Sequence, residues 1–223
     1  MTVNFNPGRI INHDPRSLAY GAELASEPKT IMWQSQAPVL DQGKSNACVG
    51  FTFAQLLNTQ FHDETRIKLL GSKDQFFDSH KAYDWYSRAT EIDEFPGQMP
   101  TEDTGTSALA MCKVAEREAT IKAYNHAFGF DECIKALQNG PVMVGTFWTQ
   151  GMFTPRNDGF VELIGNEVGG HEYLLIGVNM EEKYCTFLTS FGPTYGDNGR
   201  FKMKFDVFDT LLINQGDCII PVA

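Results

Sequence analysis

Cys48 and His171 are the two residues whose types and settings suit covalent chemistry. Phe51, Ala54, Leu57 and Phe61 recur at helical spacing, which predicts a helix from about Asn46 to Phe61 with Cys48 at its start and Ser45 or Asn46 as its cap. Unpaired backbone N–H groups and the helix dipole favour an anion there, and the thiolate is the nucleophilic form of cysteine. His171 follows Gly169 and Gly170 and precedes the apolar run Tyr173–Val178, a strand by composition. The two glycines let another stretch of chain approach the backbone beside His171. A cysteine at a helix start and a histidine at a strand start are the parts of a thiol–imidazole pair for acyl transfer. The alternative for each is structural: a small buried thiol, and a hydrogen-bonded histidine in a cleft that cleaves nothing.

The remaining cysteines, Cys112, Cys133, Cys185 and Cys218, are scattered and read as small buried hydrophobes. No pair has Cys-x-x-Cys spacing and none has a histidine at a zinc-ligand interval, so neither a metal nor another cofactor is expected. The odd number argues against a disulfide framework. His13, His62, His80 and His126 read as surface residues, and Trp85 and Tyr86 as helix packing.

The elements that must position the pair fall into two groups. Residues 1–36 read as an irregular arm, broken by Pro7-Gly8, Asp14-Pro15 and Glu27-Pro28. After the Asn46 helix, further helices are predicted over Ser79–Ile92, behind Thr106, and from an Asp131 cap to Gln138. From residue 141 the period becomes strand-like, over Pro141–Trp148, Phe160–Ile164, Glu172–Val178, Tyr184–Phe191, Arg200–Phe205 and Cys218–Val222. Helices first and strands second indicate an α+β fold, with a domain over 37–223 divided into a mainly helical half, 37–140, and a mainly β half, 141–223. A cleft between the halves is the natural place for a site.

The flanking residues sharpen this. The segment Ala37-Pro-Val-Leu-Asp-Gln-Gly-Lys-Ser-Asn-Ala-Cys48 resembles the nucleophile segment of the papain-like cysteine proteases, with Gln42 six residues before Cys48. Pro28-Lys-Thr-Ile-Met-Trp33 looks like the opening of the mature enzyme in that family. Gly169-Gly-His171 with its following strand looks like the histidine segment. Ser190-Phe-Gly-Pro-Thr-Tyr-Gly-Asp-Asn-Gly-Arg-Phe201 resembles the family's Asn-Ser-Trp-Gly stretch, and Glu102-Asp-Thr-Gly-Thr-Ser107 the acidic-Gly-Thr-Ser entry of compact microbial members. The resemblance covers roughly residues 28–205. It implies a papain-like fold whose β half is an antiparallel, barrel-like sheet.

It also implies roles. Cys48 would attack a peptide carbonyl, and His171 would take the thiol proton and return it to the leaving amine. The Cys48 backbone N–H and the Gln42 side-chain amide would face the oxyanion. Thr189 aligns with the asparagine that orients the histidine, so a single hydroxyl would do that work, at a cost of roughly two- to tenfold in rate. Ser45 and Val49 replace the family's first cysteine and tryptophan, and Tyr195 its second tryptophan. With 36 residues before Ala37, the large inhibitory pro-domain of secreted relatives is not expected here.

Composition limits the partners. Hydrophobic residues make up 42% and charged residues 21% of the 223, a globular composition. Eighteen basic and twenty-eight acidic residues leave a net charge of −10, which repels nucleic acid and anionic membrane surfaces. No apolar run reaches the roughly 18 residues of a membrane span, and the start lacks a secretory signal, so a cytoplasmic setting is expected. The expected partner is a protein or peptide substrate in the cleft. The competing reading is a catalytically weak or inactive papain-fold module that binds within a larger assembly such as a virion. A peptidoglycan-directed amidase is a third class, which Gln42 argues against.

Overall fold

The computed structural model describes residues 7–25 and 27–222. Strand β1 (Ile31–Met32) is followed by helix α1 (Cys48–Leu57), whose sequence CVGFTFAQLL holds no charge and whose ten residues are all buried. α1 is the central helix of the first half. Gly50 lets helix α3 (Ser79–Ile92) lie against it, because a Cβ there would overlap the Ala82 carbonyl. Asp78 caps α3 at the Lys81 amide, and Ser107 caps helix α4 (Ala108–Arg117) at the Ala110 amide, so both helices begin where a short polar side chain meets an orphan N–H.

Strands β2 (Ala123–Ala127), β3 (Val142–Thr149), β4 (Glu167–Asn179), β5 (Tyr184–Leu188), β6 (Arg200–Lys204) and β7 (Asp217–Val222) pair antiparallel in the order β2-β7-β3-β4-β5-β6, with β1 beside β4. The sheet is open and not a closed barrel. One face carries Met143, Leu174, Ile176 and Ile219 into a core with α1, α3 and α4. The other carries Val144, Tyr173, Leu175 and Phe187 into a second core under α5 (Gly129–Ala136) and α6 (Phe205–Ile213).

The α+β reading stands and α3 has the predicted bounds, but the two stretches are not pure: strand β2 lies within the stretch expected to be helical, and helix α6 within the stretch expected to be strands. Several local expectations do not hold. The first helix ends at Leu57 and gives way to a turn of 3₁₀ helix and then α2 (Asp63–Leu70), with Gly71 left-handed at its end. Phe160–Ile164 forms a single bridge to Lys202 and no strand, since Gly159 and Gly165 on either side turn the chain at positive φ. His62 and His126 are buried, contrary to expectation, whereas His13 and His80 are exposed. His62 lies beside the wholly buried Arg66, which donates to the carbonyls of Leu57, Thr59 and Lys73. All five cysteines are free and buried, and Trp85 and Tyr86 are core residues.

Candidate active site

Cys48 is the first residue of α1, behind Ala47. Neither Ser45 nor Asn46 caps the helix. Ser45 Oγ donates to the Gln42 carbonyl at 2.7 Å, and Asn46 is held by Asp103 through its backbone N–H (2.9 Å) and its amide (2.5 Å). The loop is thus pinned from both sides, and Cys48 is completely buried. Burial pushes the thiol up to about 12, although the backbone N–H groups of Glu172 and Gly8 near it pull the other way. The expectation of a thiol lowered by its helix position is therefore corrected for this state: desolvation outweighs the local dipoles.

His171 lies on β4. Its Nε2 is 2.8 Å from Thr189 Oγ1, and its ring stacks on Phe191 at 4.3 Å and meets the edge of Trp148 at 4.9 Å. Nδ1 is buried and has no hydrogen-bond partner among the described residues. Burial pushes the imidazole down to about 3. In this state the pair is a neutral thiol and a neutral imidazole, with no hydrogen bond between them.

Gln42 ties the helical half to the sheet. Its backbone N–H donates to the Ser190 carbonyl (2.9 Å), its Oε1 accepts from Ser190 Oγ (2.5 Å) and its Nε2 donates to the Ser45 carbonyl (2.7 Å). Ser190 adjoins Thr189, and Glu172, whose backbone faces Cys48, adjoins His171. The four residues singled out in the sequence therefore converge on one seam between α1, β4 and the chain after β5. Trp148 and Phe191, the walls that hold the imidazole, carried no recognisable signal. Tyr195 is buried and donates to the Met152 carbonyl at 2.6 Å.

The seam is covered by the chain's own arm. Gly8 O accepts from the Thr106 N–H (3.0 Å), the Ile10 N–H donates to Thr106 O (2.8 Å), and the Arg9 N–H donates to Gly170 O (2.8 Å). A Cβ at Gly8 would overlap the Asn46 backbone, and one at Gly105 would overlap the Gly8 carbonyl. Residues 8–10 thus bridge the helical half and the sheet directly over Cys48. Gln42, Cys48, His171 and Thr189 have no exposed surface. Among the described residues, no cluster of His, Cys, Asp or Glu could hold a metal ion.

No family model matches the chain. Among curated proteins it is 24% identical to the thiol protease aleurain-like of Arabidopsis thaliana, over 81% of this chain and 56% of that protein. It is also 24% identical to the oryzain gamma chain of Oryza sativa subsp. japonica, over 82% and 56%. The chain spans little more than half the length of these curated relatives. Among solved structures, xylellain, a cysteine protease from Xylella fastidiosa, superposes with a TM-score of 0.74 at 15% identity, over 99% of this chain and 97% of that one. The chain has the papain-like fold, and over about four-fifths of its length its sequence resembles the papain-like cysteine proteases.

Proposed function

We propose that the chain is a cysteine peptidase that works through Cys48 and His171, held in a resting form by residues 8–10. The observation that carries this reading is the imidazole's bonding: Nε2 is engaged by Thr189 while Nδ1 is left without a partner in a dry, aromatic-walled site. With Thr189 Oγ1 accepting from Nε2–H, Nδ1 keeps its lone pair and can act as base. Once the arm leaves and water enters, desolvation no longer holds the pair neutral. The Cys48 thiol proton then passes to Nδ1, and the thiolate attacks a peptide carbonyl. The Cys48 N–H at the start of α1 and the Gln42 amide stabilise the oxyanion. Nδ1 gives its proton to the leaving amine, leaving a thioester on Cys48. Water, deprotonated by His171, attacks the thioester and regenerates the thiol.

The similarity to thiol proteases supports this chemistry, and the covered cleft is the observation that favours the alternative, a papain-fold binding module. A thiol-reactive peptide epoxide separates the two. With the arm displaced by Gly8→Val, the peptidase reading expects rapid modification confined to Cys48 and lost in Gly8→Val/His171→Ala. Slow modification that is indifferent to His171 would leave the binding module as the better account.

A further inference from the structure

Beside the nucleophile the sheet carries a notch made by three residues at one register. Gly145 on β3 pairs with Glu172 on β4 and with Asp217 on β7, so the three side-chain positions share one face. The middle position has no side chain, and two carboxylic acids flank the gap. Farther along the same face lie the apolar pairs Met143–Leu174 and Met143–Ile219, so the acids stand at the end of a hydrophobic row. The arm fills the gap with a cation. Arg9 is buried, its Nη2 bonds Asp217 Oδ1 and the Gln215 carbonyl, and its Nε points at the notch floor. A Cβ at Gly145 would stand 2.5 Å from Arg9 Nε, 2.6 Å from Glu172 Oε2 and 2.7 Å from Asp217 Oδ1, so any residue but glycine would close the notch.

Two features make the notch more than a latch for the arm. Glu172 is completely buried, yet both its carboxylate oxygens lack a hydrogen-bond partner among the described residues, and so does Arg9 Nε. The arm's arginine thus leaves donor and acceptor capacity unused, and a guanidinium seated deeper or at another angle would meet both acids. The notch also lies one residue along the arm from Gly8, the residue over Cys48, and it is walled by Gly170, whose carbonyl pairs with the occupying backbone. A peptide crossing the seam in place of the arm would put a side chain here.

We infer that the Gly145–Glu172–Asp217 notch is a specificity pocket for an arginine or lysine side chain of the peptide substrate, occupied in the resting form by Arg9. The inference rests on the peptidase reading above. It names the substrate class, peptides basic near the scissile bond, which a chain with ten net negative charges also attracts over longer range.

The test uses the full chain with Gly8→Val/Arg9→Ala, which displaces the arm. Arg9→Ala alone serves if the double variant does not fold by circular dichroism. In a Cys48→Ala version, binding of a fluorescein-labelled peptide Pro-Gly-Arg-Ile-Ile-Asn is compared with its Arg→Leu counterpart. In the active version, cleavage is scanned over fluorogenic peptides with Arg, Lys, Leu or Phe at the two positions before the scissile bond. The expected result is at least about tenfold preference for Arg over Leu in both assays, as buried charge-assisted hydrogen bonds imply. Asp217→Asn should bring the two within about threefold, and Asp217→Leu should turn the preference to leucine. Arginine-selective binding without cleavage of any peptide would support the pocket and overturn the peptidase reading. Cleavage without a basic preference would overturn the pocket and leave the peptidase standing. Selective binding of the arm peptide alone, with substrates cleaved indifferently, would reduce the notch to an arm latch and overturn the inference.

Discussion

Arg9→Ala should speed alkylation of Cys48 without loosening the fold. Cys48 reacts only while the arm is lifted, so its rate follows the small fraction of open molecules. Arg9 contributes an ion pair to Asp217 and a charged hydrogen bond to the Gln215 carbonyl, with its side chain 1% exposed and that of Asp217 21% exposed. Such bonds are worth about 1.5–3 kcal/mol each when dry. Asp217 regains water once the arginine is gone, which removes part of that, and the backbone bonds of Gly8 and Ile10 remain. A net change of about 1.5–3 kcal/mol in arm opening gives roughly a 10- to 100-fold faster reaction. The assay is iodoacetamide labelling at neutral pH, with each thiol followed by peptide mass mapping. Cys112, Cys133, Cys185 and Cys218 are buried by the cores and not by the arm, so they should stay slow. A change at Cys48 below about threefold would refute the arm as its cover. Equal acceleration of all five thiols would mean global unfolding and would refute it too.

The other predictions concern the imidazole, acid stability and a buried cation. In the arm-displaced protein, Thr189→Val, which keeps the shape but removes the acceptor 2.8 Å from His171 Nε2, should lower peptide cleavage about two- to tenfold, while Thr189→Ser should retain it; equal rates would refute an orienting hydroxyl. His62 is held neutral by burial and by nearby Arg66, its pKa down from 6.5 to about 4. The unfolded chain therefore binds the extra proton first, and stability, full above pH 6.5, falls by up to about 1.4 kcal/mol per pH unit between 6.5 and 4. In urea unfolding at several pH values, His62→Gln should show a slope smaller by that amount, and an unchanged slope would refute it. Arg66→Met should cost about 3–5 kcal/mol in the same assay, because the carbonyls of Leu57, Thr59 and Lys73 lose their donor; a loss under 1 kcal/mol would contradict this.

Local chemistry in the sequence determined much of this protein. Asp78 and Ser107 mark helix starts, the apolar positions of Ser79–Ile92 keep a single face, and the runs after residue 141 alternate or stay apolar as strands do. The segments around Gln42, Cys48, His171 and Ser190 carry the family resemblance, because their residue types and spacing match that family's segments. α2 carries its own local signals: Asp63 and Glu64 occupy its first turn and Gly71 its end. What only the tertiary structure decided depends on residues far apart. The helix start favours the thiolate, but burial, set by chain packed around Cys48 from distant positions, outweighs it and raises the thiol pKa. The sequence reads His62 as a surface residue, whereas tertiary packing beside Arg66 buries it. Glu172 opens a strand in the sequence reading, but its place beside a charge depends on Gly145, Asp217 and Arg9, and the last two are 208 positions apart. Periodicity and capping act within about one turn of chain, so sequence shows them directly. Desolvation and charge pairing act through space, and only the folded chain sets which distant groups share that space.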